Sequence, residues 1–323
     1  MDRAVLVTGA AGFIGSNLVR HLLGAGEHVV GLDNFDDYYD PAWKRRNVLD
    51  LGAALGTFEL IEGDIRDAAL LERLFSTHDI KSVAHLAALA GVRSSVEDPE
   101  RYCDVDIMGS LRLLEVARRH ELRNFVFAST SSVYGRTTRV PFVEDDPADR
   151  PLAPYPAAKR AVELLGHAQH HSHGLNFTAL RFFTVYGPGG RPDMMAHLVL
   201  DSMRTGRPIP LYAGGRLFRD WTYVEDIVRG VAAALERPLG YEVINLGRGE
   251  PVDVLEFIRE LERLSGKKPN LVDTPMNEAD VPGTIANIDK ARALLDYRPQ
   301  VSVPEGTRRY YEWFIDKVGP IRP

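Results

Sequence analysis

The chain has 323 residues, which exceeds one typical domain and predicts two lobes. Its net charge of −6, with no basic block, excludes a nucleic-acid partner or an anionic membrane surface. No apolar run is long enough to span a bilayer and the N-terminus enters a strand at once, so no signal peptide or membrane anchor is expected.

Val5-Leu6-Val7-Thr8 reads as a buried parallel strand. Gly9, Gly12 and Gly15 follow at three-residue spacing and lead into an apolar helix that begins with Phe13 and Ile14. Glycines let the backbone turn tightly and approach a pyrophosphate, whose charge the helix N-terminus favours. Asp33 closes the next apolar run, about where a carboxylate meets the adenosine ribose 2′-hydroxyl. A glycine triplet alone is an ordinary strand-to-helix turn; the strand, helix and acid together make it a dinucleotide site. Asp33 would repel a 2′-phosphate and no Arg directly follows it, which favours NAD over NADP.

Asn34 to Pro41 is an acidic, aromatic loop, and a short helix is expected to about Leu51. Phe58 to Glu62 reads as the third strand. Beyond it Asp64 either accepts the adenine amino group or caps the next helix, for which Asp67 is the better N-cap. Ser82 to Leu86 is the fourth strand, and small residues in Leu86-Ala87-Ala88 would let backbone lie against a flat cofactor. Arg101 to His120 carries an apolar stripe at helical spacing through Ile107, Leu111, Leu114, Val116 and Ala117. Cys103 is read as a packing residue; a single cysteine excludes an intramolecular disulfide and fits a reducing cytoplasm.

Asn124 to Ala128 is the fifth strand. The hydroxyl run Ser129-Thr130-Ser131-Ser132 follows it where a ligand cleft should open; such residues serve equally as turn and cap residues. Tyr155 and Lys159 then lie one turn apart on a helix face. An isolated pair of this kind is more often plain helix surface. In a cleft, the ammonium and a nicotinamide cation would favour the phenolate, and lowering its pKa by about three units takes roughly 4 kcal/mol. Tyr155 could then exchange a proton with a sugar hydroxyl.

Phe177 to Arg181 is the sixth strand, after which the rhythm breaks at Gly187 to Pro192 and Arg207 to Gly215. A helix at Val224 to Glu236 and a strand at Glu242 to Leu246 return to the first lobe. Helices at Val252 to Ser265, Ile288 to Leu295 and Pro304 to Asp316 complete the chain. The predicted class is α/β: a Rossmann-type doubly wound parallel sheet with a smaller interleaved α/β substrate domain. The expected boundaries are 1–180, with 218–246 returning to it, and 181–217 with 247–323. No internal repeat and no metal-ligand set is found.

Thr8 to Gly15, Asp33, Asp64-Ile65, the hydroxyl run and Tyr155…Lys159 together resemble the extended short-chain dehydrogenase/reductase family, in its nucleotide-sugar epimerases and dehydratases. Asp33 to Pro41, Ala90-Gly91-Val92-Arg93 and Arg181 to Met194 are most similar to its UDP-glucuronate 4-epimerase branch. The resemblance implies a catalytic set of Thr130, Tyr155 and Lys159. It implies NAD held by Gly9, Gly12, Phe13, Ile14, Gly15, Asp33, Asn34, Asp64, Ile65, Leu86, Ala87 and Ala88, with Tyr155 and Lys159. For a UDP-sugar it implies Ser131 and Ser132 toward the sugar, Arg219 on the diphosphate, and Tyr212 and Asp280 at the uridine. Arg93, Thr184 and Arg191 fall where a hexuronic acid is handled. A cytoplasmic homodimer, paired through the helices Arg101 to His120 and Pro156 to His173, is also implied.

Departures from the family pattern narrow the activity. Dehydratases carry Asp-Glu where this chain has Ser131-Ser132, and decarboxylases carry Glu in place of Ser132. UDP-glucose 4-epimerases usually have Asn in place of Thr184. Asn277 stands where many relatives place an arginine near Asp280. Asp106 replaces an asparagine common before the Gly109 turn, and nothing in the sequence accounts for it. The alternatives, in order, are a UDP-glucose 4-epimerase, a UDP-glucuronate decarboxylase and a non-catalytic NAD-binding sensor.

Overall fold

Ala4–Thr8 (β1) is buried along its whole length in the computed structural model, which describes residues 3–51, 57–137, 139–276 and 281–321. The strands that follow are β2 (Val29–Asp33), β3 (Phe58–Glu62), β4 (Ile80–His85), β5 (Asn124–Thr130), β6 (Phe177–Phe182), β7 (Thr184–Tyr186), β8 (Pro208–Tyr212), β9 (Phe218–Arg219), β10 (Trp221–Tyr223), β11 (Tyr241–Leu246), β12 (Val252–Asp253) and β13 (Asn270–Thr274). Among the described residues seven of them form one sheet in the order β11-β6-β5-β4-β1-β2-β3. Every pairing within it is parallel. The inner strands are near-continuous apolar runs because helices cover both faces.

Sheet growth reverses between β1 and β4. Thr8 therefore pairs with Leu32 on one side and His85 on the other. The crevice beyond these strand ends is the topological switch point, where ligands of such sheets bind.

Two apolar clusters lie on the two faces of the sheet, one around Leu18, Val19 and Ile227, the other around Leu113, Phe125 and Phe177. A third is aromatic and gathers Tyr186, Trp221, Tyr223, Phe257, Tyr310 and Phe314. Trp221 stacks on Phe257 with centroids 3.9 Å apart. The pairs β7–β10, β8–β13 and β9–β12 belong to this part. The sequence reading found none of these strands, because they are short and their Pro- and Gly-rich flanks read as loops.

The expected helix from Arg101 to His120 divides into Pro99–Tyr102, a π-helical segment Cys103–Gly109 and Ser110–Arg119. The π turns rotate the buried face, so Val105, Asp106 and Gly109 face inward. Cys103 is exposed, which corrects its reading as a packing residue. A second internal acid, Asp220, is fully buried. Its carboxylate accepts the backbone N–H groups of Arg248, Gly249 and Ala286 and the Thr222 hydroxyl. It thereby ties the turn after β11 and the segment at 284–286 to β10.

Candidate active site

The crevice at the C-terminal ends of β1, β4 and β5 is a cleft of about 400 Å³. Gly9 follows β1 at φ +70°, and its carbonyl accepts the Gly12 N–H at 3.0 Å. A Cβ added at Gly15 would lie 1.9 Å from that carbonyl oxygen, so only glycine lets the helix Phe13–Gly24 start this close to the strand. No side chain caps this helix and no acid lies in its first turn. Its first N–H groups and positive dipole end therefore face the cleft, a ready anion site.

Asp33, at the end of β2, accepts the Ala11 N–H at 2.9 Å and the Phe35 N–H at 2.8 Å. These bonds leave lone pairs on both oxygens. Burial pushes its pKa up, opposed by the charge of Lys44. Asn34 donates to Asp64 at 2.9 Å, and Arg66 grips the same carboxylate through its backbone N–H, Nε and Nη2. Those bonds hold Asp64 down at about 2. Asp67 caps the following helix by accepting from Leu70. Ile65, Leu86, Ala87 and Ala88 complete the walls.

Thr130 ends β5 at the floor of the cleft, with Ser131 and Ser132 in the 3-10 turn beyond it. Its hydroxyl oxygen accepts the Ser132 N–H at 3.2 Å, which leaves the O–H for a ligand in the cleft that Tyr155 also lines. Tyr155 and Lys159 lie one turn apart on the helix Pro154–His173. That helix is locked to the sheet by a buried ion pair: Glu163 takes two bonds from Arg181, at 3.0 and 2.8 Å, and one from the Ser129 hydroxyl at 2.6 Å. Breaking such a pair is strongly destabilising.

The electrostatics differ from the sequence expectation. Tyr155 is pushed up to about 12, by burial first and then by the charge of Asp106; the Thr130 hydroxyl and Arg191 oppose this. Lys159 is buried, with its Nζ 4.8 Å from the Phe127 ring centroid, and the charge that acts on it is that of Asp106. Burial is thus the largest influence on Tyr155, and the charge of Asp106 the second.

A second cavity, of about 250 Å³, adjoins the first and shares Thr184 and Arg191 with it. Arg93 donates to the Tyr212 hydroxyl at 2.7 Å and stacks on that ring at 4.0 Å. Arg191 forms a two-bond pair with Asp193, at 2.9 and 2.8 Å. Arg219 donates to the carbonyls of Phe218 and Pro282. The structure thus brings Arg93, Thr184, Arg191, Tyr212 and Arg219 around one cavity. Asp280 and Asn277 lie outside the described residues. The sequence reading missed Tyr38, which donates to Asp193 and accepts from Ser94; the aromatic loop was its only signal. Among the described residues no three His, Cys, Asp or Glu side chains are grouped to hold a metal ion, and no helix is long and apolar enough to cross a membrane.

Known proteins share this arrangement. Residues 5–247 match the NAD dependent epimerase/dehydratase family. A UDP-glucuronate 4-epimerase of Thermodesulfobacterium geofontis is 42% identical over 318 residues, 98% of each chain. A crystal structure of UDP-glucuronic acid 4-epimerase from Bacillus cereus, in complex with UDP-glucuronic acid and NAD, is 38% identical. It superposes with a TM-score of 0.90 over 97% of this chain and 99% of that one. UDP-glucose 4-epimerase from Thermotoga maritima, solved with UDP-glucose, is 32% identical with a TM-score of 0.88 over 98% and 99%. With the family match over residues 5–247 and the relatives similar over nearly the whole chain, the protein belongs to the NAD-dependent epimerase/dehydratase family.

Proposed function

We propose that this chain is a UDP-glucuronate 4-epimerase, which interconverts UDP-glucuronate and UDP-galacturonate through a 4-keto sugar. The observation that carries the reading is that Thr130, Tyr155 and Lys159 line the glycine-lined cleft, which meets the arginine-lined cavity at Thr184 and Arg191. Relatives named for this activity support it. The cleft fits NAD: the glycine turn, the uncapped helix start and the lone pairs left on Asp33 suit a pyrophosphate and an adenosine ribose. Gly9, Gly12, Phe13, Ile14, Gly15, Asp33, Asn34, Asp64, Ile65, Leu86, Ala87, Ala88, Tyr155 and Lys159 would hold it. When bound, NAD supplies the hydride acceptor and donor at C4.

The chain's own residues do the rest. Tyr155 takes the proton of the C4 hydroxyl, with Thr130 between them, and returns it to the opposite face once the keto sugar has turned over. Lys159 holds positive charge beside this step. Arg219, Tyr212 and Asp280 keep the nucleotide anchored meanwhile. The keto intermediate of a uronate is a β-keto acid that loses carbon dioxide readily. Fixed donors on Ser131, Ser132 and Thr184, with Arg93 and Arg191, restrain the carboxylate against that loss. Neither serine is the acid that dehydration or decarboxylation would require.

The reading includes two lobes, 1–180 with 218–246 and 181–217 with 247–323, and a cytoplasmic homodimer. Exposed Met108 and Leu164 on the two helices named for pairing support the dimer. The test is purified protein with UDP-glucuronate followed by proton NMR, with UDP-glucose in parallel. UDP-galacturonate as the only product is expected. A pentose with carbon dioxide, or turnover of UDP-glucose alone, would overturn the assignment.

A further inference from the structure

Asp106 stands in the π-helical segment Cys103–Gly109, only 1% exposed. One carboxylate oxygen, Oδ1, accepts the Leu89 N–H at 2.8 Å. The other, Oδ2, is buried with no hydrogen-bond partner. Leaving a carboxylate oxygen so is costly unless a nearby charge compensates it.

The groups that face it come from every element packed around it. The helix Pro154–His173, which carries Lys159 and Tyr155, packs on the π segment, and the Tyr102 ring meets the Tyr155 ring edge-on with centroids 6.3 Å apart. His85, at the end of β4, bonds Ser110, whose hydroxyl in turn donates to the Asp106 carbonyl. Arg191 and Tyr38 act on Tyr155 as well. The cation whose charge acts on Asp106 is Lys159.

We infer that Asp106 is a positioning residue for the proton chemistry of Tyr155: its carboxylate, when ionised, balances the buried Lys159 ammonium, so the phenolate gains less from Lys159 than an unbalanced lysine would give. The inference rests on the reading of Tyr155 as the acid–base group. An asparagine at this position would still accept the Leu89 N–H but would leave the lysine charge uncompensated. Burial raises Asp106 to about 7, opposed by Lys159 and the Leu89 bond. The balance therefore changes through the neutral range. As pH rises and Asp106 ionises, ionisation of Tyr155 becomes harder.

The test compares the holoenzyme with Asp106→Asn and Asp106→Leu in two measurements. One is the pH profile of kcat with UDP-glucuronate. The other is the ultraviolet phenolate absorbance of Tyr155, taken as the difference from the matching Tyr155→Phe protein. The expected result for Asp106→Asn is a downward shift of the phenolate midpoint by about one pH unit and up to about tenfold more turnover where Asp106 is ionised, above about pH 7, the two proteins converging below it, with KM unchanged. Asp106→Leu, which also loses the Leu89 acceptor, should shift both the same way. Unmoved midpoints in Asp106→Asn, an upward shift, or a shift confined to Asp106→Leu would overturn the inference. The phenolate titration needs no turnover, so its result stands whatever sugar nucleotide the chain accepts.

Discussion

The glycine-lined cleft and the arginine-lined cavity beside it are built by different physics. The cleft is made of strand ends and backbone. Its shape follows from the register of β1, β2 and β4 and from the contact of Gly15 with the Gly9 carbonyl. Its charged side chains are already committed to the fold: Asp33 organises the 9–11 turn, and Asp64 is bound by Arg66. The cavity is made of side chains from separate loops. Each of its arginines is held by a local partner, Arg93 by Tyr212, Arg191 by Asp193 and Arg219 by backbone carbonyls. A rigid cleft suits a group that stays bound through the cycle. Side chains on loops suit a sugar that must turn over, at some cost in precision.

The largest expected effect comes from breaking the cleft's backbone contact. Gly15→Ala sets a methyl 1.9 Å from a carbonyl oxygen that is itself fixed by the Gly12 N–H. Neither side can yield cheaply. The expected outcome is destabilisation by about 3 kcal/mol or more and loss of NAD from the purified protein, read by thermal unfolding and by the nucleotide released on denaturation. Retention of both would mean that the helix start is not pinned to the strand.

A smaller effect follows from loosening one of the cleft's committed acids. Asp64 sits at about 2 in the fold, below an ordinary carboxylate, because Arg66 binds its charged form. A depressed carboxylate pKa contributes stability above the unfolded value near pH ~4 and loses it as pH falls toward 2. Arg66→Met should remove about 1–2 kcal/mol at pH 7, after discounting for a partly exposed pair. The gap between the two proteins should close between pH ~4 and 2, in denaturant titrations repeated across that range. A gap independent of pH would assign the loss to packing of the arginine stem.

How much could be read from the sequence follows the same division. The sheet, the Gly9–Gly15 turn and the Thr130, Tyr155 and Lys159 positions are local patterns of strand, turn and helix spacing, and they were legible in one dimension. The short strands β7 to β10 were not, because their partners are distant in the chain and their apolar runs last only two to five residues. The π segment was invisible for another reason: its apolar residues keep helical spacing, and only the hydrogen-bond geometry turns Asp106 inward and Cys103 outward. Asp220 reads as one acid among aromatics, yet three backbone N–H groups from two remote segments converge on it.

The smallest effect separates two contacts that hold Arg93 in the cavity. The Tyr212 hydroxyl accepts from Nη1 at 2.7 Å, and the ring lies 4.0 Å beneath the guanidinium. Tyr212→Phe removes the first and keeps the second. One hydrogen bond of this kind is worth about 1 kcal/mol, or roughly fivefold. If Tyr212 presents Arg93 to the sugar nucleotide, KM for UDP-glucuronate should rise by about that factor with kcat unchanged, because the contact serves substrate and transition state alike. Tyr212→Ala, which also removes the stacking face, should raise KM further. A fall in KM for Tyr212→Phe would reverse the assignment: the tyrosine would then be a competitor that the ligand must displace. Arg93 would be restrained in the free protein and released on binding, and the cavity would differ from the cleft in being held shut by its own partners.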